Sequence, residues 1–249
     1  MFPIRDHNPS GRTPYVVYFL MALNIGVFLS YVSLMNQPYQ LEAFFQRWAL
    51  IPADVTGGSG YIALITSMFL HGGWMHLGGN MLFLWVFGDN LEDTLGHAGF
   101  ALFYLLCGIA AGLVQVVSGP LSEIPVVGAS GAIAGVMGGY LLLFPKARVD
   151  VILILLFFFK IFPVPAWIVL GLWFVLQVGS GVLTDASLSG VAHWAHAGGF
   201  IAGLVLILPS WLKRGGPDFW QKSAGHPPHP EAKYALSRSH IPSVRRKRR

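Results

Sequence analysis

Charged residues are scarce in this chain, which excludes an ordinary soluble domain. Asp, Glu, Lys and Arg make up 11% of the 249 residues, whereas a soluble globular domain carries about 25%. Hydrophobic residues account for 54%, including 18 Phe and 8 Trp, which is typical of packed membrane helices. We therefore expect one helical domain embedded in a lipid bilayer. The first apolar run is too long for a cleavable signal peptide and lacks a small-residue cleavage site.

Cysteine is almost absent, because Cys107 is the only one. A lone cysteine excludes an internal disulfide, and its apolar surroundings favour a small buried side chain. Positive charge is concentrated instead at the C-terminus, where 10 of the 16 Lys and Arg residues lie from Lys213 onward. Beside a membrane domain this basic tail predicts contact with anionic lipid. No nucleic-acid partner is expected, since no aromatic-interleaved fold accompanies the basic run.

Six apolar stretches approach the length of about 20 residues that crosses a bilayer. They are residues 15–34, 74–92, 99–118, 129–145, 165–184 and 193–212. The sequence thus predicts an all-α polytopic membrane protein with six transmembrane helices over residues 15–212. An N-terminal segment, 1–14, precedes this domain, and we expect the basic tail, 213–249, to be disordered.

One further apolar stretch, Val151–Phe162, is too short for a span and is closed by Pro163 and Pro165. Its interpretation stays open between an interfacial segment, an extension of a neighbouring helix and part of a seventh span.

The loop charges orient the six spans. Lys and Arg favour the cytoplasmic side of a membrane. With six spans, Arg5, Arg12, Lys146, Arg148 and the tail share one side, and only Arg47 lies on the other. Both termini are therefore predicted to be cytoplasmic, and the second, fourth and sixth spans run from the outside inward.

Polar side chains stand near the start of each of these three inward-running spans. His76 and Asn80 open the second, Ser130 the fourth and His196 the sixth. They fall at a similar depth near the outer surface. Because polar groups inside spans are costly and usually functional, this agreement predicts one shared site.

Ser130 lies in the run from Gly128 to Gly131, where a loop enters a helix. By default such a serine is an N-cap. The same position suits a nucleophile, because free backbone N–H groups at a helix start can bind a developing oxyanion. The hydroxyl then needs a neighbouring base.

His196 and His193 are the candidate bases. Gly199 and Gly203 follow His196, and the fourth span carries Gly131, Gly135 and Gly139 at the same spacing. Small residues allow two membrane helices to approach closely. The spacing therefore predicts that Ser130 and His196 come within hydrogen-bond reach, and His193, nearer the loop, is the weaker candidate.

His76 and Asn80 are four residues apart and share one helix face. They are either interhelical hydrogen-bond partners or side-chain donors to an oxyanion. His71 lies at the loop-to-helix junction, and we expect it to brace the loop.

Other intramembrane chemistry fits less well. A metalloprotease requires His-Glu-x-x-His, but Leu77-Gly78-Gly79-Asn80 follows His76. An aspartyl protease needs two Asp within spans, whereas Asp89 and Asp93 lie together at one span end. A metal held by the span-end histidines stays a minor alternative, and a transporter would show internal repeats, which we do not find.

Three motifs together carry a family resemblance. The run His71-Gly72-Gly73-Trp74-Met75-His76-Leu77-Gly78-Gly79-Asn80 resembles the second-span motif of rhomboid intramembrane serine proteases. Gly128-Ala129-Ser130-Gly131 is similar to their nucleophile motif, and Ala195-His196 with Gly199 and Gly203 is similar to their base motif. The resemblance covers roughly residues 14–212.

The resemblance implies a Ser–His dyad in which Ser130 attacks and His196 accepts its proton, without metal or other cofactor. It implies an oxyanion hole made by His76, Asn80 and the Ser130 amide. Glu92 is similar to a family residue with a structural role at the cytoplasmic end. The chain departs from some members at Ala134, where a tyrosine stacks on the base.

The resemblance also implies the partners. Substrates are expected to be transmembrane segments of membrane proteins, entering sideways from the lipid near the second and fifth spans, while the loop Asp185–Ala192 caps the site. A non-catalytic rhomboid-like protein that binds client helices is the alternative. A bacterial plasma membrane is the expected location, and the sequence does not determine the oligomeric state.

Overall fold

Helices dominate the described part of the chain. The structure is a computed structural model that describes residues 2–8, 10–155, 158–183 and 191–223. The helices are α1 (Tyr15–Tyr31), α2 (Pro38–Trp48), α3 (Pro52–Thr56), α4 (Ala63–Thr66), α5 (Trp74–Leu95), α6 (His97–Ser118), α7 (Ser130–Leu143), α8 (Ala166–Leu183), α9 (His193–Lys213) and α10 (Pro217–Ser223). Short 3-10 turns follow α1 and α4, at Val32–Asn36 and Ser67–Phe69.

The six apolar stretches coincide with α1, α5, α6, α7, α8 and α9, with boundaries within a few residues of those predicted. Within the described residues, four helices are long and apolar enough to cross a membrane: α1 with its 3-10 turn, α6, α8 and α9. Helix α7 is apolar but has 14 residues. Helix α5 has 22 residues and carries acidic side chains in its last turns. The six-span count and the orientation of the termini stay predictions.

Helices α7 and α9 pack through glycine. A side chain at Gly199 would overlap the carbonyl oxygen of Gly131, and one at Gly203 would overlap that of Gly135. The close approach predicted for these two helices is therefore confirmed, since only residues without a Cβ atom permit it.

One glycine of the predicted pattern faces elsewhere. Gly139 lies against Phe103 and Leu91 of the neighbouring helices, whereas Gly138 meets the backbone of Phe200 on α9. The assignment of Gly139 to the α7–α9 contact is wrong, because the α-helix advances 3.6 residues per turn and strict four-residue spacing drifts off the face.

The described parts of the segment Val151–Phe162, residues 151–155 and 158–162, lie in β-strands. Strands β1 (Phe2–Asp6), β2 (Arg148–Leu155) and β3 (Phe158–Pro165) make an antiparallel sheet in the order β1–β2–β3. The all-α prediction is wrong for these residues. Branched and aromatic side chains favour strands, and Pro163 and Pro165 are tolerated because β3 is an edge strand.

The N-terminal segment is part of the fold, because β1 and the turn after it pack onto the bundle end far from Ser130. Asp6 accepts hydrogen bonds from the Tyr140 hydroxyl (2.7 Å) and the Asn90 amide (3.1 Å). Asn8 donates to the same Tyr140 hydroxyl (2.8 Å). Burial, opposed in part by the Tyr140 hydrogen bond, raises the pKa of Asp6 to about 7.

Glu92 joins α5 to the start of α1. Its carboxylate accepts the backbone N–H groups of Val16 (2.9 Å) and Val17 (2.8 Å) and also contacts His97. First-turn amides have no helical acceptor, and a carboxylate there is favoured by the helix dipole. Glu92 therefore anchors two helices to each other.

The basic tail begins with ordered structure. Helix α10 follows α9 closely, Phe219 is buried, and the Trp220 indole donates to the Leu142 carbonyl (2.8 Å). The prediction that residues 213–249 are disordered is wrong for Lys213–Ser223, because aromatic side chains dock this stretch on the bundle. Residues 224–249 lie outside the described part of the chain.

Candidate active site

Ser130 is the first residue of α7, and the loop before it has a special backbone. Gly128 has φ +130°, a conformation that favours glycine, and its N–H donates to the Ser67 carbonyl (2.9 Å). The helix ladder begins when the Ile133 N–H bonds to the Ala129 carbonyl. The amide of Ser130 therefore has no helical acceptor and remains available to a ligand.

His196 lies in the first turn of α9, facing Ser130. Its Nε2 atom is 2.7 Å from the Ser130 Oγ atom, so the predicted hydrogen bond is present. Gln115 of α6 accepts the Ala195 N–H (3.1 Å) and thereby caps the start of α9. The cap fixes the height of His196 relative to α7.

The other flank of the His196 ring is occupied by two residues of α8. The Trp173 and His196 ring centroids are 5.7 Å apart, with planes at 36°. The Gln177 Oε1 atom lies 2.9 Å from His196 Nδ1. Ala134 has no aromatic ring to pack on the imidazole. The aromatic neighbour of the His196 ring is Trp173.

Sequence reasoning missed both α8 residues, because the fifth span reads as a lipid-facing apolar helix. The available signal was Gln177 itself, an amide within an apolar run where polar groups are costly. The nitrogen that contacts Ser130 belongs to His196, whereas the Nδ1 atom of His193, the weaker candidate, contacts Gln177 Oε1 (2.9 Å).

His76 and Asn80 share the face of α5 that lines the same cavity as Ser130. The Gly72 N–H donates to His76 Nδ1 (3.3 Å). Because a neutral imidazole carries one donor and one acceptor nitrogen, the proton of His76 sits on Nε2. That atom faces the Gly128 backbone, where an added Cβ would be 2.8 Å away.

Asn80 presents an unused donor. The residue is 7% exposed, and within the described residues its Nδ2 atom has no hydrogen-bond partner. Buried amide donors are normally paired. An unpaired one at a cavity wall is therefore suited to an incoming acceptor, such as a carbonyl oxygen.

His71 lies in the loop that precedes α5 and is fully buried. The Tyr31 hydroxyl accepts its backbone N–H (2.6 Å) and donates to its carbonyl (2.9 Å). Its ring packs edge-on against His76, with centroids 5.2 Å apart. This arrangement agrees with the bracing position expected for His71.

The cavity that contains Ser130 and His196 has a volume of about 840 Å³. Apolar side chains such as Met68, Phe83 and Met137 line most of it. Val191 and Ala192, at the end of the predicted capping loop, also line it. The rest of that loop, residues 185–190, lies outside the described residues.

Several known proteins are similar to this chain. It is 37% identical to Rhomboid protein 1, mitochondrial, of Saccharomyces cerevisiae over 159 residues, which are 61% of this chain and 42% of that protein. It is 27% identical to Rhomboid-like protein 11, chloroplastic, of Arabidopsis thaliana over 219 residues, which are 84% of this chain and 69% of that protein. The Putative rhomboid protease YdcA of Bacillus subtilis is 44% identical over 78 residues, which are 31% of this chain and 39% of that protein.

The match to the yeast protein therefore spans less than half of that relative's length. Residues 58–212 match the family described as Rhomboid domain, and this range is more than half of the chain. It includes Ser130, His196, His76 and Asn80. The chain belongs to the rhomboid family.

Proposed function

We propose that this chain is an intramembrane serine endopeptidase that cleaves transmembrane segments of membrane proteins. The observation that carries the proposal is the 2.7 Å hydrogen bond between Ser130 Oγ and His196 Nε2. An N-cap serine would instead use its oxygen to accept a first-turn amide. Ser130 follows the cap position, Ala129, and no side-chain cap is present there.

The proposed reaction begins at the scissile carbonyl of the substrate. Ser130 Oγ attacks the carbonyl carbon while its proton passes to His196 Nε2. The protonated imidazole then gives this proton to the departing amine, which leaves an acyl ester on Ser130. Water, activated by the same imidazole, attacks the ester and regenerates the hydroxyl.

Charge that develops on the carbonyl oxygen needs donors that are already in position. The Ser130 amide, the Asn80 side-chain amide and the Nε2–H of His76 supply them around the cavity. Ser130 is the first residue of α7, His76 lies in the first turn of α5, and Asn80 lies one turn further along α5. We assign them the role of the oxyanion hole.

The topology is part of the same proposal. We place six spans across the bilayer with both termini in the cytoplasm. The described residues support this arrangement, because Ser130, His196 and His76 lie at one end of the bundle and the β1–β3 sheet at the other. Irregular backbone and water at membrane depth are tolerated when protein encloses them, as in this cavity.

The substrate class follows from the reaction. A helical carbonyl is engaged in a backbone hydrogen bond, so the scissile peptide must leave the helix before Ser130 attacks it. Transmembrane segments with small or helix-weakening residues near one end are therefore the expected substrates.

The membrane in which the chain lies is a separate question. The names of two relatives place those proteins in mitochondria and chloroplasts. A plasma-membrane location for this chain therefore stays a prediction.

The test uses the purified full chain in liposomes with a fluorescent transmembrane substrate. We expect cleavage by the wild type, none by Ser130→Ala, and wild-type rates for Ser30→Ala, a matched control on an exposed face of α1. An isocoumarin should modify Ser130, as mapped by mass spectrometry. Binding of the substrate without cleavage or labelling would favour the alternative, a non-catalytic protein that holds client helices.

A further inference from the structure

One side-chain oxygen contacts two histidines behind the nucleophile. Gln177 Oε1, on α8, lies 2.9 Å from Nδ1 of His196 and 2.9 Å from Nδ1 of His193. An amide oxygen has two lone pairs and can accept a hydrogen bond from each ring. Both contacts have ordinary hydrogen-bond lengths.

The contact with Gln177 determines which nitrogen of His196 carries the proton. To accept the Ser130 hydroxyl proton, Nε2 must be unprotonated, so the proton of the neutral ring lies on Nδ1. Nδ1–H then requires an acceptor, and Gln177 Oε1 provides it. If the ring carried its proton on Nε2, it would face Ser130 with a donor and lose its function as a base.

We propose that Gln177 is a positioning residue for the base, so that Ser130, His196 and Gln177 form one hydrogen-bonded chain across α7, α9 and α8. This inference rests on the proposed proteolytic function. Gln177 acts through His196 and does not touch the substrate. Trp173, beside the ring, limits its tilt, while Gln177 fixes its rotation and tautomer.

A neutral amide suits this position physically. A carboxylate at the same place would bring an unpaired charge into a membrane-embedded site, which is costly. Within the described ranges, none of the ion pairs involves His196. The titratable groups near its ring are His193, one turn earlier on α9, and His76 across the cavity. The amide supplies the acceptor without adding charge.

Orienting a base matters most in the transition state, so its loss should appear in kcat. Removing a group that orients a functional histidine typically costs about 10- to 100-fold. We expect this loss for Gln177→Leu, with KM close to that of the wild type. Leucine is apolar and suits a lipid-embedded helix, so the variant should fold with an unchanged thermal midpoint.

The experiment compares Gln177→Leu, Gln177→Glu and Val175→Leu with the wild type in liposomes. Gln177→Glu keeps an acceptor oxygen at the same reach; the cost of its charge should appear as a lower thermal midpoint, while the restored contact with His196 Nδ1–H should recover activity relative to Gln177→Leu. Val175 lies on the same helix and is 63% exposed, so Val175→Leu is the matched control and should cleave at the wild-type rate. A purely structural role for Gln177 would predict no recovery by Glu.

A spectroscopic readout makes the test independent of turnover. In protein with ¹⁵N-labelled histidine, the His196 signals, identified with His196→Ala, should show the Nδ1–H form in the wild type and lose it in Gln177→Leu. A wild-type kcat in Gln177→Leu, or an unchanged His196 tautomer in that variant, would overturn the inference about Gln177 and leave the proposed proteolytic function standing. Failure of the wild type to cleave and to be labelled at Ser130 would instead overturn the proposed function.

Discussion

The Ser130 hydroxyl and the His196 imidazole meet across the contact of α7 with α9, 66 residues apart in the chain. Glycines on both helices make this approach possible, because the backbones touch without intervening side chains. The geometry of the pair therefore depends on the helix packing as well as on the two side chains.

We predict that Ser130→Ala and His196→Ala each reduce cleavage by at least about 10⁴-fold, because the nucleophile and its base act as a unit. For the same reason the double variant should be no worse than either single variant. The lost hydrogen bond is worth about 1 kcal/mol, so the unfolding midpoint in detergent should change little. Substantial cleavage by either single variant would remove these residues from the reaction.

Asn80→Ala and His76→Ala should each lower kcat by about 10²- to 10³-fold, as expected when one oxyanion donor is lost. Single-turnover rates in liposomes measure this effect, and isocoumarin labelling of Ser130 should slow in parallel. His97→Ala, at the start of α6 and outside the cavity, is the matched histidine control. Wild-type rates in both α5 variants would contradict the oxyanion assignment.

Gly199→Ala should damage stability and activity together. The new methyl group would overlap the Gly131 carbonyl oxygen, so α7 and α9 must separate, which costs about 1–3 kcal/mol as in other overpacked cores. Separation also lengthens the hydrogen bond between Ser130 and His196. Thermal unfolding in detergent and cleavage in liposomes measure the two effects.

Gly171→Ala is the matched control for this variant. An added Cβ at Gly171 of α8 has no neighbour within 4 Å among the described atoms, and alanine is the better helix former by about 1 kcal/mol. Its stability should be equal to or slightly above that of the wild type. Equal effects of the two alanines would show that steric contact at Gly199 is not the cause.

The bundle and the Ser130–His196 pair could be predicted because each depends on local patterns. Apolar runs of spanning length set the helix bounds, and the glycine spacing after His196 matched that after Ser130. Few other arrangements bring two such glycine faces together. The same reasoning assigned Gly139 wrongly, because the rotation of a helix against two neighbours is not a local property.

The sheet and Gln177 could not be predicted for a related reason. The composition of Val151–Phe162 suits a strand as well as an interfacial helix, and its partner β1 lies at the opposite end of the sequence. The function of Gln177 depends on the rotation of α8, a helix whose buried residues are few. Strand pairing and helix rotation of this kind are determined by tertiary packing and not by local propensity.

Asp6 provides a pH-dependent prediction at the far end of the bundle from the candidate site. Its pKa is raised by burial from the ordinary value near 3.9 to about 7. A raised pKa means that folding favours the protonated acid. The resulting stabilisation is fully present below about pH 4 and is lost as the pH rises through 7.

The wild type should therefore lose on the order of 3 kcal/mol of stability between about pH 4 and pH 8 through this group. Asp6→Asn cannot ionise, and its amide oxygen still accepts from Tyr140 and Asn90, so this variant should show a flatter profile. Asp218→Asn, at the exposed start of α10, serves as the control and should follow the wild type. Thermal unfolding in detergent at closely spaced pH values measures the slopes, and parallel profiles for the wild type and Asp6→Asn would refute the burial of an acid at this position.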